Sequence, residues 1–226
     1  MSTVTPGTLE ASHTDAHDPG PSRRRRVRAY VGLGSNVGDA EATLAAAVAS
    51  LAALPGVRLR AVSPLYATAP VGVTDQPEFR NAVIALDVPA GPNAASGALA
   101  LLGALKELER AFGRRARRRW GPRELDLDLL IFGRWAGSAV RAPHARSGDP
   151  AKRDMPLTVP HPEARGRLFV LAPLADLAPG LVPPGWGETV ARAARRQWTI
   201  EGEGAARRLG EWTGRGWARS PGGRRP

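Results

Sequence analysis

Two aspartates spaced two residues apart, Asp126 and Asp128, stand in the run RELDLDLLIF (123–132). Just before them the chain is crowded with guanidinium groups: Arg114, Arg115, Arg117, Arg118, Arg119 and Arg123. Side chains of a strand alternate between faces, so Glu124, Asp126 and Asp128 share one face. Leu125, Leu127, Leu129 and Ile131 are expected to share the other and dock on a core. Same-face neighbours lie about 6.5–7 Å apart along a strand. Two carboxylates at that spacing repel each other, yet they can converge on a divalent cation, or on two cations about 3.5–4 Å apart. On spacing alone, an exposed strand face carrying ordinary acids is an equal reading.

The arginines shift that balance. Guanidinium forks bind phosphate oxygens in pairs. A cation held by few carboxylates, with phosphate oxygens completing its shell, fits Mg²⁺. A charged loop beside paired carboxylates therefore has the parts of phosphoryl-type transfer: metal to bridge oxygens and guanidinium to absorb developing charge. A nucleic-acid binder would use the arginines, but the aspartates would repel its ligand, so nucleic acid is not the expected partner.

These residues need a scaffold. RAYVGLG (28–34) reads as an apolar-leaning strand ending in glycines. The glycines of GLGSNVGD miss the dinucleotide fingerprint and read as a strand-to-helix turn. Asp39 is a plausible N-cap for a helix whose stripe, Leu44, Val48, Leu51 and Ala52, stops at Pro55-Gly56. VRLRAVSPLYATAP (57–70) starts as a strand, and FRNAVIALDV (79–88) is another. AASGALALLGALKELERAFG (94–113) is an amphipathic helix with Gly113 as its C′ residue. Leu125–Phe132 closes the pattern β-α-β-β-α-β. This is an α+β, ferredoxin-like core with a mainly antiparallel sheet and extra C-terminal strand and helices. Residues 134–156 read as a polar loop insertion. RLFVLAPLADLAP (167–179) looks helical despite its proline, and 185–198 suits one more short helix. Residues 1–27 form an expected disordered tail ending in basic residues, 28–212 the domain, and 213–226 a flexible tail.

The whole composition sets outer bounds. The 226 residues suffice for one ordinary domain with tails. The absence of cysteine excludes disulfides and thiolate metal sites, and four histidines leave little for zinc. A net charge of +11 points to anionic partners, phosphorylated small molecules among them. No segment approaches the roughly 20 apolar residues of a membrane span, and the N-terminus lacks a secretory h-region. A cytoplasmic location is expected.

Four segments together resemble the 6-hydroxymethyl-7,8-dihydropterin pyrophosphokinase family: GLGSN (32–36), SPLYATAPVGVTDQPEFRNAV (63–83), RWGPRELDLDLLIFG (119–133) and LTVPHPEARGRLFVLAPLADLAP (157–179). The resemblance covers roughly 28–182. It implies an enzyme that passes pyrophosphate from ATP to the hydroxymethyl group of the reduced pterin, giving AMP and the pterin diphosphate in folate biosynthesis. It also implies that Asp126 and Asp128 hold two Mg²⁺ ions bridging the ATP phosphates and the attacking hydroxyl.

The same resemblance assigns further roles. Asn81, whose amide offers donors and an acceptor, meets the pterin edge. Phe79, on the same strand face, and Phe169 sandwich the ring. Thr68 and Val71 belong to the pterin-contacting turn. Arg114, Arg117, Arg119, Trp120 and Arg123 form a mobile catalytic loop. Glu109, Arg119, Arg123, Thr158, His161 and Arg167 contact ATP. Four positions depart from the family pattern. Ala69 replaces a frequent proline, and Ala116 stands where a second loop arginine is usual, so Arg115 or Arg117 is expected to substitute. Lys106 replaces a frequent glutamine, and Pro156 occupies the place of a basic residue. No residue stands out as a general base.

Overall fold

The computed structural model describes residues 25–70, 72, 75–113, 121–146, 154–202 and 204–219. Its centre is β1 (Arg26–Ser35), which pairs antiparallel with β4 (Phe79–Pro89) on one side and β5 (Asp126–Phe132) on the other. The buried alternation of Ala29, Val31 and Leu33 explains why this strand lies inside the sheet. Beyond β4 come β2 (Arg58–Val62) and β3 (Leu65–Thr68), both antiparallel to it. The stretch 57–70 is thus two strands. Ser63 is the joint: its backbone N–H donates to Val83 O and its Oγ accepts from Val83 N, both at 2.9 Å. Pro64, without an N–H, follows it.

Helices cover both faces of the sheet. α1 (Ala40–Ala52) and α2 (Ala94–Ala111) pack Leu44, Leu51, Leu101 and Leu105 against Val31, Leu33, Ile84 and Leu127. Asp39 caps α1 by accepting from Ala42 N at 3.0 Å, and Asn93 caps α2 by accepting from Ser96 N at 2.9 Å. Gly113 follows α2 at φ +81°, the left-handed conformation expected of a C′ residue. On the opposite face lie α3 (Leu168–Leu177) and α4 (Val190–Glu201), whose Leu171, Leu174, Val190 and Ala193 meet Tyr30, Val83, Ala85 and Ile131. The helix expected within 185–198 starts at Val190, behind Thr189, whose side chain accepts from Arg192 N.

Several expectations need correction. The first strand begins at Arg26, where its guanidinium bonds Gly56 O. Gly32 and Gly34 lie within β1, as the strand reading of 28–34 has them, and the strand runs on to Ser35, so the turn reading of GLGSNVGD applies only beyond it. Ile131 does not share the face of Leu127. A bulge leaves Leu130 without a partner between Leu129, opposite Val31, and Ile131, opposite Tyr30. The extra residue reverses the alternation, so Ile131 turns to the α3/α4 side and Phe132 to the α1/α2 side.

Residues 134–156 are not wholly loop. Within them β6 (Gly137–Ala139) pairs with β7 (Leu157–Val159), and a 3₁₀ turn at Pro143–Ala145 buries Ala145. Nor are residues 213–219 a free tail. β8 (Ala206–Trp212) adds to β3, and β9 (Trp217–Ala218) folds back on β8. Trp217 meets Trp212 edge to face at 4.7 Å and donates its indole N–H to Ser63 O at 2.8 Å. The remainder of the expected tails, 1–24 and 220–226, lies outside the described residues.

Candidate active site

The sheet face toward α3 is covered unevenly. Side chains fill it around Tyr30 and Ala85, but toward the end of β1 its residues are Gly32 and Gly34. Register places Asp128 beside Gly32 and Asp126 beside Gly34, while Asn81 flanks Gly34 from β4. The row Asp126–Gly34–Asn81 therefore spans two strand spacings, about 10 Å, with no side chain in its middle. The glycines form the floor of a cleft of about 870 Å³, counting the solvent at its mouth. This is the role that the turn reading missed. A glycine inside a strand pattern is the sequence signal for such a close approach.

One wall carries polar recognition. Asn81 and Thr68 are 6% and 5% exposed, and Asn81 Nδ2 donates to Thr68 Oγ1 at 2.7 Å. That bond fixes the amide and leaves its Oδ1 over Gly34, 3.2 Å from where a Cβ would stand. Phe79 lies in register with Thr68 on the same face, and Phe169, from the first turn of α3, lines the cleft opposite the sheet. Arg167 stacks its guanidinium 5.5 Å from the Phe169 ring centroid and also pairs with Glu163. The α3 N-terminus is held from α4, because Glu201 Oε1 accepts from Leu168 N at 2.9 Å and from Gln197 Nε2 at 2.7 Å.

The other wall carries charge. Asp126 and Asp128 are half-buried and both face the cleft. Arg123 enters it as well and forms an ion pair with Asp126. Asn36 fixes the approach to β5: its Oδ1 accepts from Arg123 N at 2.8 Å, and its Nδ2 donates to Gln76 Oε1 at 3.0 Å and Pro77 O at 3.1 Å. One buried amide thus joins the segment before the aspartates to the segment before Phe79. Asn36 belongs to the GLGSN motif, yet nothing in the sequence marks it as this strut.

The structure brings together Thr68, Phe79, Asn81, Arg123, Asp126, Asp128, Arg167 and Phe169 around one cleft. Glu109, Thr158 and His161 stand outside its lining. Glu109 is buried behind β5, where its Oε1 accepts from Leu127 N at 2.8 Å and Lys106 Nζ at 2.7 Å. Thr158 shares a 2.9 Å hydroxyl contact with Ser138 across the β6–β7 pair. His161 docks through its backbone N–H on Leu130 O at 2.8 Å, next to the bulge. Val71, Arg114, Arg117, Arg119 and Trp120 lie outside the described residues.

Residues 30–179 match the family described as 7,8-dihydro-6-hydroxymethylpterin-pyrophosphokinase (HPPK). The chain belongs to this family. The 2-amino-4-hydroxy-6-hydroxymethyldihydropteridine pyrophosphokinase of Methylorubrum extorquens is 45% identical over 167 residues, covering 74% of this chain and 91% of that protein. Its counterpart in Pseudomonas aeruginosa is 44% identical over 157 residues, 70% of this chain and 84% of that protein. Among solved structures, the wild-type Plasmodium falciparum HPPK-DHPS with pteroate superposes with a TM-score of 0.62 at 14% identity, over 85% of this chain. The chain spans about half of that structure's length, 47%. That likeness supports the α+β fold. Among the described residues, no helix is long and apolar enough to cross a membrane.

For an HPPK, the donor set at β5 is chemically suited to Mg²⁺. Among the described residues no cluster of three or more His, Cys, Asp or Glu side chains forms a closed metal cage. Two half-buried carboxylates at one edge of an open cleft instead suit a hard cation that keeps water and takes phosphate oxygens as its remaining ligands.

Proposed function

We propose that this cleft is where the chain transfers the pyrophosphoryl group of ATP to the hydroxymethyl oxygen of 6-hydroxymethyl-7,8-dihydropterin. A bond forms from that oxygen to the β-phosphorus, the bond between the β-phosphorus and the AMP oxygen breaks, and AMP leaves. The observation that carries this reading is the glycine floor, which sets a polar amide wall about 10 Å from a paired-carboxylate wall. A flat heterocycle has room between Phe79 and Phe169, with its reacting arm directed at the acids.

Asn81, held by Thr68, reads the edge of the ring. Phe79 and Phe169 give it two apolar faces. Asp126 and Asp128 would hold two Mg²⁺ ions, which supply charge neutralisation and orientation for the phosphates when bound. Arg123, which pairs with Asp126 and lines the same cleft, would offer its guanidinium to the phosphates when Asp126 holds a metal. Arg167 faces the same space from α3, and Thr158 and His161 supply nucleotide contacts beyond the cleft lining. Arg114, Arg117, Arg119 and Trp120, outside the described residues, would act on the phosphates of ATP. Glu109 acts on the nucleotide site through β5, by its bond to the peptide between the two aspartates. A cytoplasmic location belongs to the same reading.

The test is direct. Purified protein given ATP, Mg²⁺ and the pterin alcohol is expected to release AMP and form the pterin diphosphate in equal amounts. Formation of ADP in place of AMP, or no reaction, would refute the reading.

A further inference from the structure

Arg141 lies just past β6, in the stretch that reads from sequence as a polar loop. Its side chain is half-buried. Its Nη2 donates to Pro156 O at 3.3 Å, the residue just before β7. Its Nε is buried and, among the described residues, has no hydrogen-bond partner. The carboxylates whose charge acts on the guanidinium are Asp128 and Glu109. Neither carboxylate is close enough to form an ion pair with it. Glu109 already accepts from Lys106 and from Leu127 N.

A partly buried guanidinium with five donors and one weak carbonyl contact has binding capacity left over. Burial lowers the pKa of Arg141 from its ordinary value, chiefly by desolvation, although an arginine stays charged at neutral pH. A buried donor left unmatched is destabilising. An anion arriving beside Asp128 removes that cost. Phosphate is the chemistry that matches a guanidinium fork in its geometry as well as its charge.

We infer that Arg141 is a binding residue for the polyphosphate of the nucleotide, delivered to the Asp128 side of the site by the β6–β7 hairpin. The inference rests on the pyrophosphokinase reading and adds a residue to it. In this arrangement the β6–β7 pair becomes part of the nucleotide site: its short pairing, with Ser138 opposite Thr158, holds the arginine just beyond β6.

The experiment compares wild type, Arg141→Lys and Arg141→Ala by calorimetric titration with Mg²⁺ and a non-hydrolysable ATP analogue, and separately with the pterin. Loss of a charge-assisted bond predicts that Arg141→Ala binds the nucleotide roughly tenfold to a hundredfold more weakly. Arg141→Lys, which keeps the charge and loses the fork, should fall between the two. Pterin affinity and the melting temperature should stay near wild type. Wild-type nucleotide affinity in Arg141→Ala overturns the inference. So does a lowered melting temperature with unchanged affinity, which would make Arg141 only a counterion for Glu109 and Asp128. Turnover by wild type is assayed in parallel: its absence defeats the pyrophosphokinase reading, whereas normal turnover with an indifferent Arg141→Ala defeats this inference alone.

Discussion

Lys106 Nζ lies 2.7 Å from Glu109 Oε1, and the two residues are only 6% and 2% exposed. One turn apart on α2, they grip a single residue of β5 from both sides. Lys106 donates to Leu127 O at 3.0 Å, and Glu109 accepts from Leu127 N at 2.8 Å. Leu127 is the residue between Asp126 and Asp128, and its strand is the last of its sheet. The pair supplies the hydrogen bonds that a further strand would have made, and it fixes the register of both acids. Removing one charge strands the other in the core. Glu109→Ala should therefore lower unfolding stability in urea by about 3–5 kcal/mol. A loss below 1 kcal/mol would show that water replaces the carboxylate without cost.

Asp126→Asn and Asp128→Asn should each slow turnover at least a hundredfold or so, the scale of removing a group that meets charge at the transition state. Neither should unfold the protein, because both side chains face the cleft and not the core. Steady-state assays across a Mg²⁺ series, with circular dichroism as the folding control, check this. Wild-type turnover in both variants would disprove the metal role.

Gly34→Ala probes the floor. The new methyl would stand 3.2 Å from Asn81 Oδ1 and 3.9 Å from Asp126 Cβ. The nearer contact is tight, so the amide must shift and part of its bonding is lost. The KM for the pterin should rise roughly tenfold, the worth of about one hydrogen bond, with little change in the KM for ATP. An unchanged pterin KM would mean that Asn81 does not read the ring.

Asp87 predicts a pH dependence of folding. The hydrogen bond from Arg28 Nε, at 2.6 Å, and the charges of Arg28, Arg60 and Arg26 hold its carboxyl below the ordinary value of 3.8, against the effect of burial. A carboxylate with a lowered folded-state pKa adds stability above its unfolded value. That stability drains away as pH falls through the folded value. The protein should thus lose about 1 kcal/mol as the pH drops from about 5 to below 3 through this group. Asp87→Asn should flatten that part of the curve. Identical acid slopes in the two proteins would exclude the contribution.

Much of the site was legible because strand periodicity and motif spacing are local. The alternation of Asp126 and Asp128 with Leu125 and Leu127 put the acids on one face without further information. The alternation failed at Leu130, because a bulge is set by pairing with Tyr30 and Val31, roughly a hundred residues earlier in the chain, and leaves no compositional trace. GLG reads equally well as a turn or as a bare strand, and only the aspartates beside it decide. Resemblance assigned Glu109 to ATP, and its hold on β5 stayed out of view because its partner, Leu127 N, is a backbone group that no side-chain pattern reveals. Arg141 was hidden for a similar reason: β6 is three residues of Gly, Ser and Ala, without an apolar alternation to announce it.

The indole of Trp217 reaches back 154 positions to the carbonyl of Ser63, at the entrance of the strand that ends in Thr68. Ribosomal synthesis runs from the N-terminus, so the strand that presents Thr68 emerges long before the residue that ties down its start. The nascent protein can assemble its acidic wall early, but its amide wall gains this fastening only after the 154 residues that follow Ser63 have been made. A tag or fusion placed directly after Ala218 would press on that fastening, far in sequence from the residues that line the cleft.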